Sequence, residues 1–328
     1  MNKAIAVSGA RFTEHGLHLG HYSGCFLSLN GKLSNKFCHY FFIIYDNQIT
    51  NDVKGIKQFA SQIYALSDYL KLNNVHVVLE SMIAPLLYKL RHYIESIVTV
   101  EQLNASYRQK KSNMHLSASE SGRAVSDFMF PLNQASINIA LKAKYTCMND
   151  DNVRIVELTK DIIRKINTTC KAEIPDHYLI TGYKPHLLGY NYLKMCNGNK
   201  NAIYFNDAEN DLRFKTHQLF SFKRYFKQFP EQYKLFKSTN EYYYDDNYLP
   251  VHFYKALFPN HFNDSFYLMD KNRVLVFEED LKNRIINLIR SVSFLQLEYI
   301  NCTDCITDRL QKDYELSNKI ISNNDFIE

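Results

Sequence analysis

The sequence predicts an α/β protein whose core is a parallel sheet of the doubly wound kind, followed by a more helical region. Three short apolar segments have the length of buried strands, and stretches with the spacing of amphipathic helices lie between them. This alternation favours a parallel sheet, because each crossover between parallel strands needs a connecting helix. Such sheets bind nucleotides at the carboxyl ends of their strands, so the residues that follow each strand are the first candidates for a site.

The first half of the chain supplies the predicted sheet. Each strand is a run of apolar residues, and each helix has apolar residues three or four positions apart. In chain order we predict a strand over 4–8, a helix over 18–29, a strand over 40–45, a helix over 56–70, a strand over 75–79 and a helix over 83–97.

Helices and loops dominate the second half. An amphipathic pattern predicts a helix over 153–166, and a stretch rich in proline and glycine follows over 175–189. A second apolar stripe, from Leu281 to Val292, continues the helical pattern. We therefore predict a nucleotide-binding domain over 1–215 and a helical domain over 216–328.

The composition is that of a globular protein with a mildly basic surface. Hydrophobic residues make up 46% of the 328 residues, enough for more than one buried core. The net charge of +5 permits an RNA or nucleotide partner without requiring one. No stretch has the pattern of a signal peptide, and the longest apolar run, Phe41–Tyr45, is too short to span a bilayer. We expect a cytoplasmic protein with neither a membrane nor DNA as partner.

The seven cysteines are odd in number and scattered, which argues against a disulfide framework. Cys302 and Cys305 form a lone C-x-x-C without a second pair. We interpret them as two thiols on a helix face rather than as a metal or redox site, and we predict no metal site elsewhere.

The segment SGARFTEHGLHLGHYSG, from Ser8 to Gly24, carries the strongest local signal. It follows the first predicted strand and places His18 and His21 in the first turn of a predicted helix. A helix N-terminus presents N–H groups that bind phosphate, and histidines there add donors to a transferring phosphoryl group. Gly20 would let a nucleotide approach the backbone closely. The alternative is a capped surface loop without a ligand.

The same segment resembles the start of class I aminoacyl-tRNA synthetases and, within them, of the tryptophanyl family. HLGH over 18–21 fills the HIGH signature, and KMCNG over 194–198 resembles the KMSKS signature. NAI over 201–203 and Asp207 are similar to the usual sequel of that signature. Further segments match in the same order, namely MFPLNQASINIAL (129–141), NDDNVRIVELTKDIIRKIN (149–167) and the region near residue 280.

The resemblance implies a Rossmann-type catalytic domain over 1–215 and a helical, anticodon-binding-like domain over 216–328. It implies ATP-dependent adenylation of tryptophan or a related amino acid and transfer to tRNA, with a specialised tRNA-dependent biosynthesis as one setting. ATP and Mg²⁺ are the implied cofactors, with Mg²⁺ travelling on ATP. A homodimer is implied as well.

The resemblance also implies roles for individual residues. For catalysis and ATP binding it implies three sets of residues. Ser8 and Gly9 would form the floor of the nucleotide site, and His18, Gly20 and His21 would contact phosphate and adenosine. Lys194 and Met195 would lie at the pyrophosphate. Those implied for the amino acid or its ribose neighbour are Tyr45, Gln48, Phe130, Gln134, Asp151 and Asn152. Core packing or a solvent role is the alternative for the aromatic and glutamine side chains.

Several positions depart from the family pattern. Asn197 stands where the second lysine of KMSKS is expected, and Asn152 and Ile155 replace the glutamine and histidine of the D-Q-x-x-H segment. Ile137 stands where bacterial members carry an aspartate for the indole N–H, and losing such an acceptor weakens discrimination. Three interpretations stay open, namely an active synthetase-like enzyme, a paralogue that binds RNA or an amino acid as a regulator, and a nucleotidyltransferase outside the synthetases.

Overall fold

The structure of the protein, a computed structural model, describes most of the chain. The described residues are 4–29, 37–46, 52–112, 125–181, 187–191, 193–196, 200–219, 227, 230–231, 234, 242–243, 248–263, 268–269 and 271–324.

A parallel sheet of five strands forms the centre of the described fold, in the order β3-β2-β1-β4-β5. The strands are β1 (Ala4–Arg11), β2 (Phe37–Tyr45), β3 (Val75–Leu79), β4 (Tyr145–Cys147) and β5 (Tyr178–Ile180). The strand order reverses at β1, which pairs with β2 on one side and with β4 on the other. A crevice at the carboxyl ends of β1 and β4 follows from this reversal.

Helices cover both faces of the sheet. They are α1 (Leu19–His21), α2 (Val53–Tyr69), α3 (Glu80–Ile83), α4 (Tyr88–Ile97), α5 (Val100–Ser112), α6 (Val125–Ala140), α7 (Val153–Cys170), α8 (Glu209–Leu219), α9 (Leu249–Leu257), α10 (Lys271–Asn301) and α11 (Thr303–Ser322). Strands β6 (Tyr242–Tyr243) and β7 (Leu268–Met269) form a separate antiparallel pair.

Strand β2 shows why the sheet has two cores. Its side chains alternate between the faces, so Phe42 and Ile44 pack in the core that contains α2 and α10. Phe41 and Ile43 pack in the other core, which contains α4, α6 and α7. A strand that is buried on both faces reads as a continuous apolar run, which is how it was recognisable in the sequence. The predicted parallel sheet with flanking helices and a helical C-terminal region is confirmed.

The helix predicted over 18–29 is shorter and less regular than expected. After α1, residues Tyr22–Phe26 form a π-helical turn, closed by the N–H of Leu27 donating to the carbonyl of Tyr22 (3.0 Å). Gly24 lies in this turn, and a β-carbon there would come within 2.2 Å of Asn149 Oδ1. The segment after β4 thus packs against the backbone of the turn.

The helix predicted over 83–97 is divided into three parts. Helix α3 is followed by a 3₁₀ turn over Ala84–Leu87, and α4 then continues to Ile97. Pro85 lies in the 3₁₀ turn, where it has no N–H for an α-helical hydrogen bond.

The last helix returns to the sheet. Helix α11 packs on β3 and α2, and its buried Asp313 lies at the centre of this contact. The carboxylate of Asp313 accepts hydrogen bonds from Tyr64 Oη (2.7 Å), Val77 N–H (2.8 Å) and His76 Nδ1 (2.8 Å). The C-terminal region and the sheet therefore share one core.

Cys302 and Cys305 form a disulfide at the junction of α10 and α11, with their α-carbons 5.3 Å apart, so the prediction of two helix-face thiols is wrong. Cys302 lies between the last residue of α10 and the first residue of α11, so the disulfide spans the junction of the two helices. The domain division near residue 215 falls inside α8 and stays a prediction. Among the described residues, no helix combines the length and the apolar character needed to cross a membrane.

Candidate active site

A cleft of about 180 Å³ opens at the carboxyl end of β1, beside the reversal of strand order. Residues from β1, α1, β2, α6, the segment after β4 and the segment around Lys194 form its walls. The lining residues are Gly9, Ala10, Arg11, His18, His21, Cys25, Tyr45, Phe130, Gln134, Met148, Asn149, Asn152, Lys194, Met195 and Cys196.

His18 and His21 form a stacked pair at the start of α1, with ring centroids 3.8 Å apart. The N–H of Gly20 donates to His18 Nδ1 (3.1 Å), and the N–H of His18 donates to His21 Nδ1 (3.2 Å). Because both Nδ1 atoms accept from the backbone, the neutral rings carry their hydrogen on Nε2. The capping of this short helix therefore fixes the tautomer of both imidazoles.

His18 is kept neutral by its surroundings. It is 6% exposed, and burial, together with the nearby His21 and Lys194, holds its pKa well below the ordinary value. A neutral imidazole with its hydrogen on Nε2 can donate one hydrogen bond to a phosphate oxygen. The site thus offers a fixed donor at His18 without adding a buried charge.

The glycines and Ser8 shape the floor of the cleft. Gly9 lies against β2, and a β-carbon there would come within 2.6 Å of the carbonyl oxygen of Ile43. The Oγ of Ser8 donates to the carbonyl of Cys147 (2.6 Å), which ties β1 to β4 beneath the cleft. Gly20 differs from the expectation, because a β-carbon there would come within 2.8 Å of the His18 ring. The ring of His18 fills the space above Gly20 in this structure.

Lys194 reaches the cleft from a segment that is held by one buried side chain. Asn201 is fully buried, and its Nδ2 lies within donor distance of Asn191 Oδ1 (2.6 Å) and of the carbonyls of Leu193 and Lys194 (3.0 Å each). Its Oδ1 accepts from the N–H of Cys196 (3.1 Å). Asn201 thus fixes the backbone on both sides of Lys194.

The two signature segments are joined by main-chain hydrogen bonds. The N–H of Leu19 donates to the carbonyl of Ile203 (3.0 Å), and the N–H of Phe205 donates to the carbonyl of Leu17 (3.0 Å). Asp207 closes the following turn by accepting from the N–H of Tyr204 (2.8 Å). The segment that begins at Lys194 is therefore anchored to the histidine pair soon after it leaves the cleft.

The opposite wall is aromatic. Tyr45 and Phe130 meet edge to face with their centroids 5.0 Å apart, and the guanidinium of Arg11 lies 4.4 Å from the centroid of Phe130. Burial raises the pKa of Tyr45, so its phenol stays protonated. Gln134 lies beside the Tyr45 hydroxyl, and its Nε2 approaches Met148 Sδ (3.9 Å). This wall can pack against a flat side chain.

The family model for tRNA synthetases class I (W and Y) matches residues 1–252. The chain belongs to this family. The tryptophan–tRNA ligase of Chlamydia caviae is 27% identical to it over 231 residues, which cover 67% of this chain and 66% of that protein. The matched part spans about two thirds of the length of that relative.

Solved tryptophanyl-tRNA synthetases are similar in fold. The Campylobacter jejuni protein, complexed with ADP and tryptophan, gives a TM-score of 0.67 at 15% identity and covers 98% of this chain and 97% of that chain. The Mycoplasma pneumoniae protein gives a TM-score of 0.61 at 14% identity with the same coverage. At these identities the similarity shows the Rossmann-type fold of this synthetase family.

Most residues predicted for the site line the cleft, but some do not. Gln48 and Asn197 lie outside the described residues, and so does the side chain of Asp151. Ser8 and Gly20 lie beneath or behind the lining surface. Five polar or sulfur-bearing side chains line the cleft without having been predicted, namely Arg11, Cys25, Met148, Asn149 and Cys196. Arg11 is the last residue of β1 and Asn149 follows β4, so their position at the carboxyl ends of parallel strands was a signal that could have identified them.

Proposed function

We propose that this synthetase-family chain activates tryptophan or a related amino acid with ATP and passes the aminoacyl group to a tRNA. The observation that carries the proposal is the placement of the fixed His18–His21 pair in one cleft with Lys194, at the reversal of strand order. Such a cleft combines hydrogen-bond donors and a cation where charge would develop on phosphate.

In the first step, a carboxylate oxygen of the amino acid would bond to the α-phosphorus of ATP while the bond to pyrophosphate breaks. This step needs little covalent chemistry from side chains, so positioning and charge stabilisation dominate. His18 and His21 would donate to the phosphate oxygens, and the Lys194 ammonium would neutralise the leaving pyrophosphate. Gly9 would form the floor of the nucleotide site, and Met195 would pack beside it.

Mg²⁺ would enter on the triphosphate of ATP. Within the described part of the chain, no group of three or more histidine, cysteine, aspartate or glutamate side chains is placed to hold a metal ion. In nucleotide sites Mg²⁺ is usually held mainly by phosphate oxygens and water, and we propose the same here.

The amino acid would lie against the aromatic wall. Tyr45 and Phe130 would pack on its side chain, and Gln134 and Asn152 would provide polar contacts. We keep Gln48 and Asp151 as proposals for the same subsite on the family resemblance alone. The second step would bring the terminal adenosine of a tRNA to this cleft, in the cytoplasm.

A second candidate is a regulator that binds an amino acid or RNA without adenylation. The asparagine at position 197 favours it, because the family motif has a second lysine there for phosphate charge. ATP–pyrophosphate exchange, screened across the twenty amino acids and close tryptophan analogues, separates the two candidates. Exchange with any amino acid supports the enzyme, and its absence with retained amino-acid binding supports the regulator.

The histidine variants test the site itself. Losing one donor to a charged phosphate is worth about 1.5–3 kcal/mol, so His18→Ala and His21→Ala should each slow exchange roughly 10- to 150-fold. The control is His92→Ala, an exposed histidine on α4 whose removal should leave exchange unchanged. Parent-like exchange in both cleft variants would refute the assignment of the histidines.

Two further parts of the proposal concern assembly. On the family resemblance we propose a homodimer. On the same basis we propose a catalytic domain over 1–215 and a helical, anticodon-binding-like domain over 216–328. Light scattering at micromolar concentration tests the dimer, and a monomer there would contradict it. Binding of tRNA transcripts to the full chain tests the acceptor.

A further inference from the structure

A buried glutamine of α2 contacts the loop over 12–17, which leads from β1 into the histidine pair. Gln62 is 1% exposed and does not line the cleft. Its Oε1 accepts a hydrogen bond from the N–H of Leu17 (2.8 Å), the buried residue that precedes His18. A buried main-chain N–H that lacks an acceptor is costly, so this bond favours the observed path of the loop.

The loop is shaped to receive this side chain. Gly16 has a φ of +74°, and its N–H donates to the carbonyl of Thr13 (3.0 Å), which makes a tight turn just before Leu17. A β-carbon at Gly16 would come within 2.5 Å of Gln62 Oε1. Glycine therefore serves two needs here, namely the left-handed backbone and the space that the amide occupies.

The bond at Leu17 adds a second support for the backbone of His18. Main-chain hydrogen bonds already join Leu17 and Leu19 to residues 203–205, at 3.0 Å each. These bonds tie the segment to one neighbour, and Gln62 ties it to another, the helix α2. The backbone that carries His18 is therefore held by two separate elements of the fold.

Helix α2 gives Gln62 a rigid base. Gln296 of α10 is buried, and its Nε2 donates to the Oγ of Ser61 (3.0 Å) and to the carbonyl of Gln58 (3.2 Å). The Oγ of Ser61 donates in turn to the same carbonyl (2.6 Å). The turn of α2 that presents Gln62 is thus cross-linked to the long helix α10. Support of this kind is what the precise placement of a functional side chain requires.

We propose that Gln62 is a positioning residue for adenylation, which acts through Leu17 to set the place of His18 in the cleft. The Nε2 of His18 can donate to a phosphate only from the right distance, and its ring is carried by the backbone that Gln62 holds. Gln62 itself lies outside the cleft and would touch neither ATP nor the amino acid. This inference rests on the proposed function and adds a residue that lies outside both signature segments.

Gln62→Met tests the proposal, because methionine has nearly the same length and no strong acceptor. We expect single-turnover adenylate formation to fall about 10- to 100-fold, since a small displacement of a group at the reacting centre has effects of that size. The KM values for ATP and the amino acid should change less than about threefold, because Gln62 contacts neither. Gln62→Glu keeps an oxygen acceptor for Leu17 and should restore most of the rate.

Gln102→Met is the matched control. The Oε1 of Gln102 also accepts from a main-chain N–H, that of Thr99 (3.0 Å), and Gln102 does not line the cleft, so the rate should stay unchanged. The decisive measurement is Gln62→Met in the His18→Ala background. There it should change the rate less than about threefold, because the side chain that it positions is already absent. A fall as large as in the parent would overturn the proposal.

Nuclear magnetic resonance of protein labelled with ¹⁵N-histidine separates this inference from the proposed function, because it needs no substrate. The ring signal of His18, identified by its loss in His18→Ala, should shift in Gln62→Met and stay in place in Gln102→Met. A shifted signal in a protein that forms no adenylate supports the placement of His18 by Gln62 and contradicts the enzyme. Adenylate formation in the parent, together with an unshifted signal or a parent-like rate in Gln62→Met, supports the enzyme and overturns the role of Gln62.

Discussion

Replacement of Asn201 by alanine is expected to release the segment that carries Lys194. The Asn201 side chain is fully buried and is the hydrogen-bond partner of the carbonyls of Leu193 and Lys194 and of the N–H of Cys196. Alanine removes all three contacts, and the carbonyl of Leu193 then keeps only the N–H of Gly189 as a partner (2.7 Å). The least costly response is for the segment to move into water.

The magnitude follows from the bonds that are lost. A net hydrogen bond contributes about 1 kcal/mol, so three main-chain groups amount to about 3 kcal/mol. That change shifts the balance between the held and released segment by roughly 150-fold. The effect should be local, because the core residues around the sheet keep their contacts.

Single-turnover adenylate formation and limited proteolysis measure the two consequences. In Asn201→Ala we expect adenylate formation to fall up to about 100-fold, since Lys194 spends little time in the cleft. New cleavage should appear between residues 187 and 203, at protease concentrations that leave the parent intact.

Asn167→Ala is the matched control. Asn167 also bonds the main chain through both of its side-chain groups, to the N–H (3.0 Å) and the carbonyl (2.9 Å) of Ile174, and it does not line the cleft. It should lower stability without slowing adenylate formation. Parent-like rates and cleavage in Asn201→Ala would show that the segment is held by other contacts and would refute the reasoning.

Three further predictions test other parts of the molecule. Lys194→Ala should nearly abolish adenylate formation in a single-turnover assay. Asn197→Lys should raise the rate of adenylate formation by restoring the second cation. Adenylate formation in Lys194→Ala at the rate of the parent would contradict the role of Lys194. Asp313→Asn should lower the urea unfolding free energy by about 2–3 kcal/mol, because a buried carboxylate with three donors is lost. Burial lowers the pKa of His177 to about 4, so the unfolded chain binds a proton there below pH 6.5 that the folded chain does not. The stability from His177 is therefore complete above pH 6.5 and lost as pH falls toward 4. Between pH 7.5 and pH 5 the urea-unfolding free energy of the parent should therefore fall by about 2 kcal/mol through His177, and that of His177→Gln should fall by less. An equal fall in the two proteins would contradict the lowered pKa of His177.

The parts of the fold that depend on local pattern were predictable. Strand β3 has the predicted bounds, because four of its five residues are apolar and polar residues lie on both sides of it. Strand β1 extends three residues further than predicted, to Arg11, because its last residues pair with β2 although they are not uniformly apolar. A parallel partner can supply hydrogen bonds to residues whose side chains give no strand signal.

The parts that depend on distant contacts were not predictable. In the π-helical turn over Tyr22–Phe26, Gly24 packs against Asn149, and these two residues are far apart in the sequence. Met148 and Cys196 reach the cleft only because the sheet and the segment around Lys194 meet there. Ordinary side chains of this kind carry no local sequence signal.

The contact between Asp313 and β3 also bears on how the chain folds during its synthesis. Strand β3 is an edge of the sheet, and Val77 N–H on that edge donates to the carboxylate of Asp313. Exposed edges invite pairing with another chain, so α11 shields a surface that would otherwise favour aggregation. More than two hundred residues separate the two elements, and at ~5–20 residues per second the ribosome needs at least about 10 s to make them. During that time the nascent sheet has an open edge, and a chaperone is the expected substitute for the helix that has not yet been synthesised.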